Sequence, residues 1–133
     1  MATFESLRAA VRAHDLGDTL RRAEFQAILE ALTAEEEVRA LAPAELRGLR
    51  GFLVGTTRRV FFAHAGVAGR AVSPVAPAGQ TPRSVGEAGG AVTLVFRGAD
   101  GREVEVGSVP PRLARGFTAP AAAPRGNGPT PGG

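Results

Sequence analysis

Cysteine is absent from the 133 residues, which excludes a disulfide framework, a thiol nucleophile and any thiolate-ligated zinc or iron–sulfur site. Lysine is absent as well. All sixteen basic residues are Arg, a bias that beside abundant Ala and Gly reads most simply as the imprint of a GC-rich genome. It would still shape any anion site, because Arg grips carboxylates and phosphates through a planar fork rather than as a point charge. Trp and Tyr are missing too, so seven Phe are the only aromatics. With those Phe expected in the core, a base-stacking platform is hard to build and nucleic acid is not an expected partner. Apolar runs such as Phe52-Leu53-Val54 and Val60-Phe61-Phe62-Ala63 fall far short of a membrane span. The stretch from Met1 to Leu16 is interrupted by Glu5, Arg8, Arg12 and Asp15, which argues against a signal peptide. A cytoplasmic protein is the expectation.

Catalytic signatures are equally scarce. The chain carries no Gly-x-Ser-x-Gly, no P-loop and no Gly-x-Gly-x-x-Gly. Its two histidines, His14 and His64, have no neighbouring ligand set: His64 reads as a polar strand end and His14 as a cation at a helix C-terminus. Gly66-Val67-Ala68-Gly69 reads as a loop, since no helix follows it to receive a phosphate. Glu35-Glu36-Glu37 is an acid run at the start of an element, a pattern that reads as solvated. No enzyme, metal or cofactor is expected.

What is present is enough apolar material for one domain. The large apolar side chains cluster between Phe4 and Phe117, and residues 118–133, TAPAAAPRGNGPTPGG, read as a disordered Pro/Gly/Ala-rich tail. The net charge of +3 conceals an asymmetry. Residues 1–45 hold nine acids against five Arg, whereas residues 46–117 hold ten Arg against four acids.

Periodicity organises the chain. Phe4, Leu7 and Val11 share one face of a helix over about Phe4 to His14. A break at Asp15-Leu16-Gly17-Asp18, with Asp18 as N-cap, leads into a second helix. That helix buries Leu20, Phe25, Ile28, Leu29 and Leu32 and turns Arg22, Glu24 and Glu30 to solvent. Residues 1–32 thus form an N-terminal helical hairpin. At Thr33 the signals conflict: Thr33-Ala34-Glu35-Glu36 is a capping box, while Val38 to Ala42 alternates like a short strand before Pro43. Phe52–Thr56 and Val60–Ala63 read as a hairpin turning at Thr57-Arg58-Arg59. Ala71-Val72-Ser73 is a weak strand ended by Pro74, Arg83-Ser84-Val85 a short one, and Gly89-Gly90 a turn. Val92–Phe96 and Arg102–Val106 flank Gly98-Ala99-Asp100-Gly101, a strong hairpin signal, with Val104 and Val106 inward and Glu103 and Glu105 outward. Pro110-Pro111 opens a short helix ending near Gly116. Grouped strands without alternating helices predict an antiparallel α+β architecture over residues 33–117.

Two stretches resemble the bacterial pleckstrin-homology (PH)-like domains of the YokE-like type. Leu32, Glu36, Glu37, Val38, Ala40 and Leu41 match an opening of the form L-x-x-x-E-E-V-x-A-L. Gly51, Leu53, Val54, Thr56, Arg58, Arg59 and Phe62 match a hairpin of the form G-x-L-V-x-T-x-R-R-x-x-F. Gly89-Gly90, Val92-Thr93-Leu94, Glu103 to Val106 and Val109-Pro110 follow in the family's order, whereas residues 74–88 depart from it in lacking bulky apolar residues. The resemblance implies that the stretch after Thr33 enters the first strand, and that a bent antiparallel sheet or barrel is capped by the C-terminal helix. It implies no catalytic activity.

The candidate binding residues are Arg47, Arg50, Arg58, Arg59 and Arg70, which surround the hairpin and the loop after it. Two functions follow as expectations. The first is a protein-interaction module, self-associating or not, that uses a sheet edge or the acidic helices. The alternative is peripheral binding to an anionic membrane surface through the Arg cluster.

Overall fold

The computed structural model describes residues 2–14, 16, 22–66, 69–78, 81–87 and 89–118, with the backbone alone described at 2–4, 22, 65–66 and 69–71. The expected tail from 119 on, and the expected cap at Gly17-Asp18 with Leu20, lie outside the described residues. The elements run α1 (Ala2–Ala13), α2 (Arg22–Ala31), β1 (Val38–Leu46), β2 (Leu49–Thr56), β3 (Arg59–Gly66), β4 (Gly69–Pro77), β5 (Arg83–Gly86), β6 (Val92–Arg97), β7 (Glu103–Val109) and α3 (Pro111–Thr118). The strands form one antiparallel sheet in the order β4-β3-β2-β1-β7-β6-β5, which is not closed. The α+β expectation therefore holds, including the short C-terminal helix. Thr118, assigned to the tail by composition, is the last residue of that helix.

Residues Gly51 to Thr56 are buried at every position. A strand shows no alternation when both of its faces are covered. Cross-strand pairing puts Leu41, Val54 and Phe61 on one face, and Ala40, Ala42, Leu53 and Phe62 on the other. The second face carries small residues where α3 lies. A Cβ on Gly55 would stand 3.1 Å from the Phe117 ring, one on Gly116 would stand 3.1 Å from Ala40 Cβ, and Phe117 meets Phe96 edge-on. The first face is covered by the N-terminal helices, α1 against β1 and α2 against β2, β3 and β4. The two helices rest mainly on their own sheet rather than on each other. Leu7, Ala10 and Ile28 join the same buried cluster as Phe61 and Phe62. In contrast, β7 alternates as predicted: Val106 is buried while Glu103 and Glu105 are exposed.

Three local readings are corrected. Pro43 does not end its strand; β1 continues to Leu46, with Pro43 opposite Phe52. Pro74 does not end β4, which extends to Pro77 on the sheet's edge, the place where a residue without an N–H is tolerated. Glu24, expected on the solvent face of α2, is only 5% exposed because α2 turns Glu24, Ala27 and Ile28 toward the sheet.

The β1–β2 connection is a two-residue turn, Arg47-Gly48, with φ of 52° and 82° between paired Leu46 and Leu49. Positive φ at both positions is the signature of a type I′ hairpin, whose twist matches that of the strands. Three residues on, Gly51 is held by space rather than by φ: an added Cβ would lie 2.3 Å from the Ala63 carbonyl oxygen and 2.8 Å from Phe62 Cζ. Gly48→Ala has open space, and its cost is the backbone term of about 1 kcal/mol. Gly51→Ala must displace a neighbouring strand and costs about 3 kcal/mol, at the upper end of overpacking effects. Urea titration of the two variants checks this order, and equal losses would contradict the steric account.

Candidate functional site

Among the described residues, Glu36 has the most deeply buried polar side chain, with no exposure to solvent. Locally the sequence spells a capping box, and half of that box forms: Glu36 Oε1 accepts the Thr33 N–H at 3.1 Å. The helix does not follow. Glu36 N–H bonds the Thr33 carbonyl in a single turn, and β1 begins two residues later with Val38 N–H bonded to Ser6 Oγ at 3.0 Å. Long-range partners hold the carboxylate instead. Arg59 donates from Nε to Oε2 at 2.8 Å and from Nη2 to Oε1 at 3.1 Å, a bidentate grip. Thr56 Oγ1 donates to Oε2 at 2.5 Å, while accepting the Arg58 and Arg59 N–H groups at 3.1 Å each. Arg59 also donates to the Ala31 carbonyl at the end of α2, and its guanidinium lies 4.7 Å above the Phe61 ring.

The electrostatics follow from this geometry. Burial alone would raise the Glu36 carboxyl; hydrogen bonds from Arg59, Thr56 and Thr33, with the Arg59 charge, outweigh it and lower it from 4.5 to about 2. The acid run at Glu35–Glu37 is therefore not uniformly solvated. Glu35 and Glu37 are exposed, Glu35 meeting Arg58 at 3.3 Å, and the residue between them anchors the fold.

The five candidate arginines separate into two groups. Arg47 and Arg50, both exposed, stand at one end of β2, and the Arg70 backbone pairs with Ala65 beside the β3–β4 turn at that same end. The Arg70 side chain lies outside the described residues. Arg58 and Arg59 stand at the other end, six residues along β2 from Arg50 to Thr56, or roughly 20 Å. Arg59 is engaged with Glu36, and Arg58 faces solvent beside Glu35. Arg50 borders a cleft of about 350 Å³ with Glu24, Pro43, Glu45, Phe52 and Ser108, so two carboxylates share its surroundings.

The histidines are placed differently from each other. His64, half-buried on β3, stacks on Phe62 at 6.5 Å between ring centroids. His14, read as a helix-terminal cation, has its pKa lowered by burial and by the nearby Arg112 charge, which disfavours the cationic form. Among the described residues, no three His, Asp or Glu side chains gather as metal ligands would, and no helix is long and apolar enough to cross a membrane.

At the sheet's far edge, β5 is exposed at all four residues, with Val85 46% exposed. At its end the Glu87 carboxylate accepts from Thr93 Oγ1 and from the Ser108 N–H at 3.0 Å, bonds that lower its pKa. Ser108 has a positive φ of 58°, so Glu87 pins an irregular point of β7. No family model, curated protein or solved structure matches the chain.

Removing either member of the buried pair has unequal consequences. Arg59→Ala leaves a sealed carboxylate without its guanidinium and costs about 3–5 kcal/mol. Glu36→Gln leaves Arg59, which is partly exposed, to water, and so costs less. The folded value near 2 lies below the free value of 4.5, so the pair's contribution, about 3 kcal/mol, is complete above pH 4.5 and fades as pH falls toward 2. The stability difference between the native chain and Glu36→Gln, from urea titrations at pH 7, 4 and 2.5, should shrink in that order. A constant difference would contradict the assignment.

Proposed function

We propose that this chain is a non-catalytic, PH-like cytoplasmic binding module whose partners are proteins and which engages them along the β5 edge. The observation that carries this reading is that edge. Of the two strands at the ends of the sheet, β4 holds Pro74 and Pro77, has a register shift between Val60 and Phe61 of its partner, and is packed by α2. Those are the features that blunt an edge against further pairing. β5 has no proline, and every residue of it is exposed. An extended segment added there would gain main-chain hydrogen bonds for affinity and alternate side-chain contacts for specificity.

The PH-like assignment is supported by the strand order, by the C-terminal helix against the face bearing Ala40 and Gly55, and by structural roles for Gly51, Thr56 and Arg59 of the resembling hairpin. The non-catalytic reading is supported by the use of the buried Glu36 and its partner Arg59 as an ion pair inside the fold. A second reading, contact with an anionic membrane surface, draws on the exposure of Arg47 and Arg50 at one end of the sheet, near the β3–β4 turn.

The test is affinity purification of the tagged chain from its native host, beside Ser84→Pro, with bound proteins and lipids identified together. The expected result is a protein enriched by the native chain at moderate salt and lost with Ser84→Pro. Anionic lipid without protein, released as salt rises and abolished by Arg47→Glu with Arg50→Glu, would overturn the protein reading in favour of the membrane surface.

A further inference from the structure

The residues along β5 form a self-complementary row. The Glu87 N–H bonds the Ala91 carbonyl at 2.8 Å, and β5 pairs with β6 in the same register, Val85 opposite Thr93 and Arg83 opposite Val95. Hydrogen-bonding direction alternates along an antiparallel ladder, so Arg83 and Val85 direct their backbone groups to β6. Ser84 and Gly86 direct theirs to the open edge. On one face of the strand stand Arg83, Val85 and Glu87, a cation, an apolar side chain and an anion in even spacing. Reversed and laid against itself, that row matches: Val85 meets Val85, and Arg83 meets Glu87 on both sides of it.

We propose that the β5 edge pairs antiparallel with β5 of a second copy of this chain, about a two-fold axis through Val85. This rests on the protein-interaction reading above and names its partner. The backbone agrees with the side chains. In this register Ser84 lies opposite Gly86 of the other copy, and these are the residues whose N–H and C=O groups face outward, so each pair exchanges two hydrogen bonds. Val85 then forms a non-hydrogen-bonded pair with its mate, and its 46% exposure falls on the axis. Arg83 is free to re-pair, since its contact with Glu103 is 3.4 Å long and exposed on both sides. Glu87 accepts from Thr93 and Ser108 through Oε2, leaving Oε1 for the incoming guanidinium. Opposite charges directly across such a ladder favour pairing, and like charges oppose it. The contact is short, so the dimer is weak and concentration-dependent.

The chain has no cysteine, which makes Val85→Cys a single-thiol probe. Across a non-hydrogen-bonded pair the Cα atoms lie roughly 4.5 Å apart, within the span that a disulfide bridges. Under mild oxidation at high protein concentration, Val85→Cys should form a covalent dimer at least about tenfold faster than Val72→Cys, a control on the β4 edge that is also exposed. Sedimentation of the native chain should show reversible dimerisation; Arg83→Glu should raise the dissociation constant at least about tenfold, and Arg102→Glu should leave it unchanged. In hydrogen exchange, the Ser84 and Gly86 amides should gain protection as concentration rises. Equal linking rates for the two cysteine variants would overturn the dimer, as would Ser84 and Gly86 amides that stay unprotected or are protected independently of concentration. If the dimer fails while the native-host purification still enriches a Ser84-dependent protein, the binding-module reading stands and a heterologous segment occupies the edge.

Discussion

A carboxylate sealed from water is tolerable only where fixed donors replace its hydration, and for Glu36 those donors include Arg59, Thr56 and the Thr33 N–H. The groups that converge there come from four places in the chain: the turn before β1, the end of β2, the start of β3 and the last carbonyl of α2. Satisfying one charge therefore sets where α2 ends, where β1 begins and how the β2–β3 turn is oriented. A lysine could not substitute in kind, because the guanidinium grips both carboxylate oxygens, reaches Ala31 and lies flat over Phe61.

Around that node the first strands are covered on both sides, by α1 and α2 on the face bearing Phe61 and by α3 on the face bearing Ala40 and Gly55. Those first strands have little face left for a ligand, whereas β7 keeps Glu103 and Glu105 exposed. The β4 edge carries proline and is packed by α2, whereas β5 is exposed along its length. Of the five arginines around the hairpin, one holds the fold together, and the others are divided between opposite ends of β2.

Much of the fold was legible where a signal is local. The Asp-Gly hairpin between β6 and β7, the alternation of Val104 and Val106 with Glu103 and Glu105, and the Phe52–Ala63 hairpin depend on turn chemistry and on a period of two. The helix periods at Leu7 and Ile28 were equally readable. The misreadings share one cause. Glu36 looked like one acid in a solvated run, and Glu24 like part of a polar helix face, because charge suggests exposure until a distant partner or a covering element is known. Pro43 and Pro74 looked like strand ends, since proline's lost donor matters only if the neighbouring strand needs it.

The sequence by itself determined the class of this protein: grouped strands behind two amphipathic helices, a short terminal helix and no local catalytic signature. It even carried both halves of the central node, Thr33 to Glu36 and Thr56 to Arg59, as two separate motifs. What only the tertiary structure decided is that those motifs belong together, that one Arg of a basic pair points inward while its neighbour points out, and that β5 is the unprotected edge. These are long-range facts. Periodicity and turn preference act over a few residues, whereas burial, ion pairing and edge exposure depend on which strands become neighbours.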